Sequence, residues 1–280
     1  SLGEHPEAEH LYTAMLGVKQ VGWASLGLAR TLFAQGRVEE TENVLTQLVS
    51  VNPKLMAAYD LLAKCHEANG SVARAQQVLE EAVSISPHMV RRLRHLGEVA
   101  LDAGDVSAAE KSFKQVVSKA KYSEFRDPED HVNLVRTLVK KGDPTQASGV
   151  IRDLERSMRG NPNVDACKAI AVAMLHDAAG NSAAAVTELN NAVGAVRASS
   201  GLSSKLRIGL AESCLAHKLD QGASEVMLSV MNDAKSGVST QQAMSVFVKA
   251  GRPDLADGMG AQLKAQAQIL LGIAAEKANM

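Results

Sequence analysis

The sequence predicts an all-α protein, a solenoid of about seven antiparallel helix hairpins, and three observations predict it. Glycines recur at Gly36, Gly70, Gly104, Gly142 and Gly180, spaced 34, 34, 38 and 38 residues. Between them apolar residues return every three or four positions, the period of a helix with one buried face. The composition is 46% hydrophobic but only 3% aromatic, rich in Ala and Leu and without alternating β-branched runs, which favours helix over strand. A hairpin with one apolar face cannot bury it alone, so successive hairpins must stack. Another helical-hairpin solenoid or a compact helix bundle is the alternative, and the 34-residue period weighs against both.

Residues 1–21 are expected to hold a capping or linker helix over Glu4 to Lys19, with Leu11, Met15 and Val18 on one side. Residues 22–199 hold five repeats. Repeat one, Gly22 to Leu55, carries Leu28, Ala29, Leu32, Gly36, Leu45, Leu48 and Pro53, with Thr41 where a small alanine is usual. Repeat two, Met56 to Met89, has the clearest pattern: Tyr59, Leu62, Ala63, His66, Gly70, Ala75, Leu79, Ala82 and Pro87. Small Ala63 and Ala75 let its two helices approach, and Leu62 and Leu79 fill the seam. Repeat three, Val90 to Ser123, has Leu93, Leu96, Gly97, Ala100, Gly104, Ala109, Phe113 and Val116. A longer connection, Tyr122 to Pro128, then ends in Asp127-Pro128, a helix start with a carboxylate N-cap and proline at the first helical position. Repeat four, Pro128 to Asn161, uses Leu134, Leu138, Gly142, Ala147, Ile151 and Leu154; repeat five, Ala166 to Ser199, uses Ala169, Ala173, Gly180, Ala185 and Leu189. Residues 200–280 are expected to form two degenerate repeats and a C-terminal capping helix. The sixth unit lacks the turn glycine, and Gly251 follows Gly180 by 71 residues, nearly two periods.

The spacing in residues 56–89 resembles the tetratricopeptide repeat, W-x₂-L-G-x₂-Y…A-x₃-F…P, and the resemblance extends in consistent phase over most of the chain. It implies a right-handed superhelix whose concave side is lined by the first helix of each pair, and a noncatalytic scaffold for protein–protein interaction. A second resemblance rests on Tyr122-Ser-Glu-Phe-Arg-Asp-Pro-Glu-Asp-His131, Leu134, Leu138 and Gly142-Asp143. It is to the repeat-containing output region of bacterial response regulators that bear an N-terminal receiver, and it implies a role in two-component signal transduction. The chain opens Ser1-Leu2-Gly3 without Met, as expected of a piece cut from a longer protein.

No enzyme is expected. The eight histidines show no H-E-x-x-H spacing, and there is no phosphate-binding, nucleophile-elbow or dinucleotide loop, so neither catalytic residues, a metal nor a cofactor is expected. Gly258-Met259-Gly260 falls within a helical pattern and reads as close helix approach. Cys65, Cys167 and Cys214 lie far apart within predicted helices and read as packing thiols. His66 and His176 read as packing histidines. With neither a signal peptide nor an 18-residue apolar run, a cytoplasmic location is the default.

A net charge of −1 provides no global attraction to nucleic acid or to a membrane, so neither is expected as a partner without a local patch. The expected partner is a protein or a peptide segment, polar, acidic or mixed in character. Positions 2, 5, 6, 9, 12 and 13 of each first helix fall on one face, which makes Leu26, Val132 and Ile170 candidates for exposure and nominates Trp23, Arg30, Phe33, Lys64, Arg91, Arg94, His95, Asn133, Arg136 and Lys140 as partner-binding residues. The alternative to a binding role is that Arg94 pairs with Glu98, and Arg91 with Glu67 or Asp60. A chaperone-type carboxylate clamp is disfavoured, because Leu26 and Leu61 occupy two of its polar positions. The competing readings are a self-association module forming a homodimer through Met227, Met231, Met244 and Phe247, and an RNA-binding solenoid.

Overall fold

The computed structural model describes residues 4–199, 201–233 and 236–261. Among these there are fourteen complete helices and no strand, and residues 253–261 are also helical. Helix α1 is Glu4–Val18. The hairpins follow as α2 Gly22–Ala34 with α3 Val38–Val51, α4 Met56–Ala68 with α5 Val72–Ile85, and α6 Val90–Asp102 with α7 Val106–Ala120. Next come α8 Pro128–Lys141 with α9 Pro144–Ser157, α10 Val164–Ala178 with α11 Ser182–Ala198, α12 Ser204–Ala216 with α13 Asp220–Met231, and α14 Thr240–Lys249. Residues 1–141 and 142–280 form two compact units, with α8 the last helix of the first and α9 the first of the second. The expected helix over 262–277 lies outside the described residues.

Each hairpin turns the same way for a local reason. Gly36, Gly70, Gly104, Gly142, Gly180 and Gly251 have φ between 69° and 82°, the left-handed region that a Cβ disfavours. The amide after the turn then reaches back to a carbonyl five residues earlier: Arg37 N to Leu32 O at 3.0 Å, Ser71 N to His66 O at 2.7 Å, Asp105 N to Ala100 O at 2.8 Å. The sixth hairpin makes the same bond, Leu219 N to Cys214 O at 2.8 Å, with Lys218 at φ 59° in the glycine position. The degenerate unit therefore keeps its turn geometry while losing the residue that makes the turn unstrained. Asp105, Asp143 and Asn181 cap the second helices by accepting from Ala108 N, Gln146 N and Ala184 N. Asp127 starts α8 as the Asp-Pro pair predicts, its carboxylate accepting from Glu129 N at 3.0 Å.

The core runs between the paired helices. Ala63, Ala75 and Leu79 are fully buried, and they pack with Leu96 and Val99 of the next repeat. Thr41, where alanine is usual, is also buried and sends its hydroxyl to Arg37 O at 2.8 Å. At Gly97 an added Cβ would come within 2.8 Å of the Phe113 ring, so α6 and α7 approach as closely as a bare backbone allows. At Gly260 a Cβ would stand 3.2 Å from the Met244 methyl, a close approach of the same kind.

Helix α1 packs on α2, but not through the face that its apolar residues mark. Leu11, Met15 and Val18 are exposed. The contact is made by Tyr12, whose ring lies so close over Gly27 that a Cβ there would stand 2.4 Å away. Glu9 adds a bond to Arg37 at 2.7 Å, and this pairing lowers the Glu9 pKa below the usual carboxylate range.

Candidate functional site

In the first unit the first helices α2, α4, α6 and α8 carry the nominated residues, and an ion-pair ladder runs between them. The fifth residue of one first helix meets the third residue of the next. Asp60 of α4 accepts two bonds from Arg92 of α6, at 2.7 and 2.9 Å. Arg94 of α6 donates two to Asp130 of α8, at 2.5 and 2.8 Å, and a third to Phe125 O at 3.1 Å. In repeats one and two the corresponding residues are Leu26 and Ala58, both in one apolar cluster. His95 of α6 meets Glu67 of α4 at 2.6 Å.

These contacts correct two expectations. Arg94 is held by Asp130 of the next repeat, and Asp60 and Glu67 are taken by Arg92 and His95 rather than by Arg91. Leu26, Val132 and Ile170, expected on the exposed side, are buried, because neighbouring first helices close over the fifth position of the face.

The pair at Asp130 is electrostatically demanding. Burial pushes the Asp130 carboxyl above the usual carboxylate range, and the Arg94 bonds offset this only in part. Those same bonds raise Arg94 further. Glu110 of α7 is in the opposite condition, lowered by bonds from Lys114 at 2.6 Å and Lys141 at 2.8 Å.

The other nominated residues are distributed unevenly. Trp23, Arg30, Lys64, Arg91 and Lys140 are exposed, while Phe33, Asn133 and Arg136 are half-buried. Arg136 donates to Asn133 Oδ1 at 3.1 Å. Arg30, Lys64 and Arg136 share the ninth position of α2, α4 and α8, and Glu98 takes it in α6. A cavity of about 460 Å³ opens between α1, α2 and α3, lined by Leu16, Val21, Leu28, Val44, Leu48 and Val51.

Sequence reasoning missed Arg92, Asp130 and, in the second unit, Arg207. Arg207 is buried and donates to Ser229 O at 2.8 Å and Asp233 at 2.5 Å, beside a cavity of about 880 Å³. Cys65, Cys167 and Cys214 are buried. Burial pushes the thiols of Cys65 and Cys214 up to about 11, so both stay protonated at neutral pH. His66 is buried in the seam as expected, whereas His176 is half-exposed. No group of three His, Cys, Asp or Glu side chains among the described residues could hold a metal ion. No described helix is long and apolar enough to cross a membrane.

Comparison with known proteins agrees with this architecture. No curated protein sequence matches the chain. A tetratricopeptide repeat protein from Parabacteroides merdae ATCC 43184 superposes with a TM-score of 0.61 at 14% identity, covering 91% of this chain and 93% of its own. YrrB, described as a TPR protein with an unusual peptide-binding site, has a TM-score of 0.53 at 13% identity, covering 66% of this chain and 91% of its own. MamA has a TM-score of 0.51 at 12% identity, covering 65% and 97%. At these identities the likeness is one of fold. Residues 26–90 match the family model of the tetratricopeptide repeat. That match lies inside an array of helix hairpins, and the chain has the fold of a tetratricopeptide-repeat solenoid.

Proposed function

We propose that this chain is a noncatalytic scaffold that holds an acidic peptide segment of a protein partner on the first-helix face of its first unit. The observation that carries the reading is the division of labour among the charges there. Arg92 and Arg94 pair with Asp60 and Asp130, and His95 meets Glu67, while Arg30, Lys64, Arg91 and Lys140 have no ion-pair partner among the described residues. Three acids of the face are engaged in holding the repeats together, Glu98 alone interrupts the ninth-position row, and cations remain for a ligand. Trp23 and Phe33 supply apolar contact beside Arg30. Stacked repeats present such extended faces to partners, and YrrB is a fold relative with a peptide-binding site of its own. The motif from Tyr122 to Asp143 supports reading the array as the output region of a receiver-bearing regulator.

Crosslinking capture from host lysate tests this, comparing the unaltered chain with Arg30→Glu, Lys64→Glu. Both side chains are exposed, so helical circular dichroism is expected to stay unchanged while a defined protein is lost from the capture. Capture that survives the reversal removes the site from this face. Self-association as the main activity predicts instead that the chain captures only itself and sediments as a dimer.

A further inference from the structure

We propose that the inter-repeat edge of the first unit docks on an anionic lipid surface. This edge comprises the connections that join each hairpin to the next, and it meets the first-helix face at Trp23 and Arg91. Of the nine large apolar side chains left exposed among the described residues of the first unit, seven gather there, Val18, Trp23, Val51, Ile85, Met89, Tyr122 and Phe125, while Leu11 and Met15 lie farther back on α1. Three of them project almost wholly into solvent, Val18 at 90%, Val51 at 84% and Tyr122 at 92% exposure. None of the exposed large hydrophobics among the described residues of the first unit lies at the opposite edge, where the turns within its hairpins sit; in the second unit Val248 stands beside such a turn.

Charge divides in the same sense. The connections 18–23, 51–55, 85–91 and 119–127 hold six Lys and Arg (Lys19, Lys54, Arg91, Lys119, Lys121 and Arg126) against two acids, Glu124 and Asp127. The turns 35–40, 67–71 and 102–105 hold one cation, Arg37, against five acids. The net charge of −1 conceals this separation, and the edge is the local patch that a membrane partner requires. One acid of the basic edge, Asp127, is engaged in capping α8, and Lys121 lies over the Tyr122 ring at 5.6 Å. Apolar and aromatic tips interleaved with cations match the chemistry of a bilayer interface: tips enter the acyl boundary, rings sit at headgroup depth and cations meet anionic headgroups.

The shape decides between a bilayer and an acidic protein segment. The cavity among α1, α2 and α3 serves one connection only, whereas projecting apolar side chains recur at all four. A peptide seated in that cavity leaves the other three uncovered, and an extended surface engages them together.

Co-sedimentation of the full chain with vesicles tests the proposal, using phosphatidylcholine alone and phosphatidylcholine with about one third phosphatidylglycerol. The chain is expected to bind the mixed vesicles, to bind far less to the neutral ones, and to be released as salt is raised. Lys19→Gln, Lys54→Gln, Lys121→Gln is expected to weaken partitioning by on the order of a hundredfold, about fivefold for each cation removed. Val18→Ser, Val51→Ser, Tyr122→Ser is expected to weaken it with helical circular dichroism unchanged, and Glu39→Gln at the opposite edge is expected to leave it intact. Absence of binding to mixed vesicles at low salt overturns the proposal. So does binding that both triple variants retain. Retention of polyglutamate by an edge that ignores vesicles overturns it too, in favour of an acidic protein segment.

Discussion

The joints between repeats two and three and between repeats three and four use one position with opposite polarity. At the first joint the third residue of the incoming helix is Arg92, 4% exposed, facing Asp60 at 44%. At the second it is Asp130, 2% exposed, facing Arg94 at 25%. The fold decides which member is buried, always the third residue, and leaves its sign free. Each joint thereby acquires a complementarity that the other cannot satisfy, since exchanging their halves would set Arg92 against Arg94 or Asp60 against Asp130.

The largest expected effect comes from breaking a joint. Arg94→Met leaves a buried carboxylate without its partner and is expected to cost about 3–5 kcal/mol in urea unfolding at neutral pH. The pH dependence has a definite sign. Asp130 has its folded pKa raised, so the folded state holds that proton more tightly than the unfolded chain. The penalty of the ionised group is present above the folded pKa and is relieved as pH falls through it. The Arg94→Met deficit should therefore shrink on acidification. Asp60→Ala strands the guanidinium of Arg92, which cannot shed its charge, and its deficit should persist over the same range. Equal recovery of the two variants would remove the distinction drawn between the joints.

The next effect sharpens the comparison. Arg94→Asp, Asp130→Arg places at the second joint the polarity that the first already uses. Each single substitution should be more damaging than the pair, with a coupling of about 1–3 kcal/mol in a double-mutant cycle. A null coupling would mean that backbone packing alone, and not the charge pair, determines the joint.

Packing inside a hairpin comes third. Gly97→Ala drives a methyl into the Phe113 ring and is expected to cost about 1–3 kcal/mol. Phe113→Leu in the same chain should recover part of that loss, which thermal melts of the single and double variants would read. The smallest effect is a gain. Lys218→Gly removes the left-handed strain of the sixth turn and is expected to stabilise the second unit by about 1 kcal/mol. No gain in its unfolding midpoint would mean that the Lys218 side chain makes contacts worth as much as the strain.

The hairpins were legible because their signals are local. Glycine at a turn, alanine at a close crossing and Asp-Pro at a helix start each act within a few residues. The ladder was not, because its members stand 32 and 36 residues apart, and the shift between those numbers comes from one extra residue in α7 and three in the connection before α8. A fixed 34-residue register therefore aligns Arg94 with Pro128 and misses Asp130. Helix α1 shows a different limit. Counting apolar residues pointed to the side bearing Leu11, Met15 and Val18, whereas a single tyrosine meeting a glycine determined which side packs. Of the nominated residues, long cations such as Arg30 and Lys64 stayed exposed as periodicity implies, and Arg94 did not because a carboxylate from the next repeat lay within reach.

The tyrosine on Gly27 also bears on assembly. Repeats that stack by one rule have no internal reason to stop, and a bare first hairpin is an invitation to the last hairpin of another molecule. Tyr12 fills the dimple that Gly27 leaves, and Glu9 fastens it to Arg37. Together they cover the face of α2 that α1 meets, so a chain shortened to begin at α2 would bare that face to solvent.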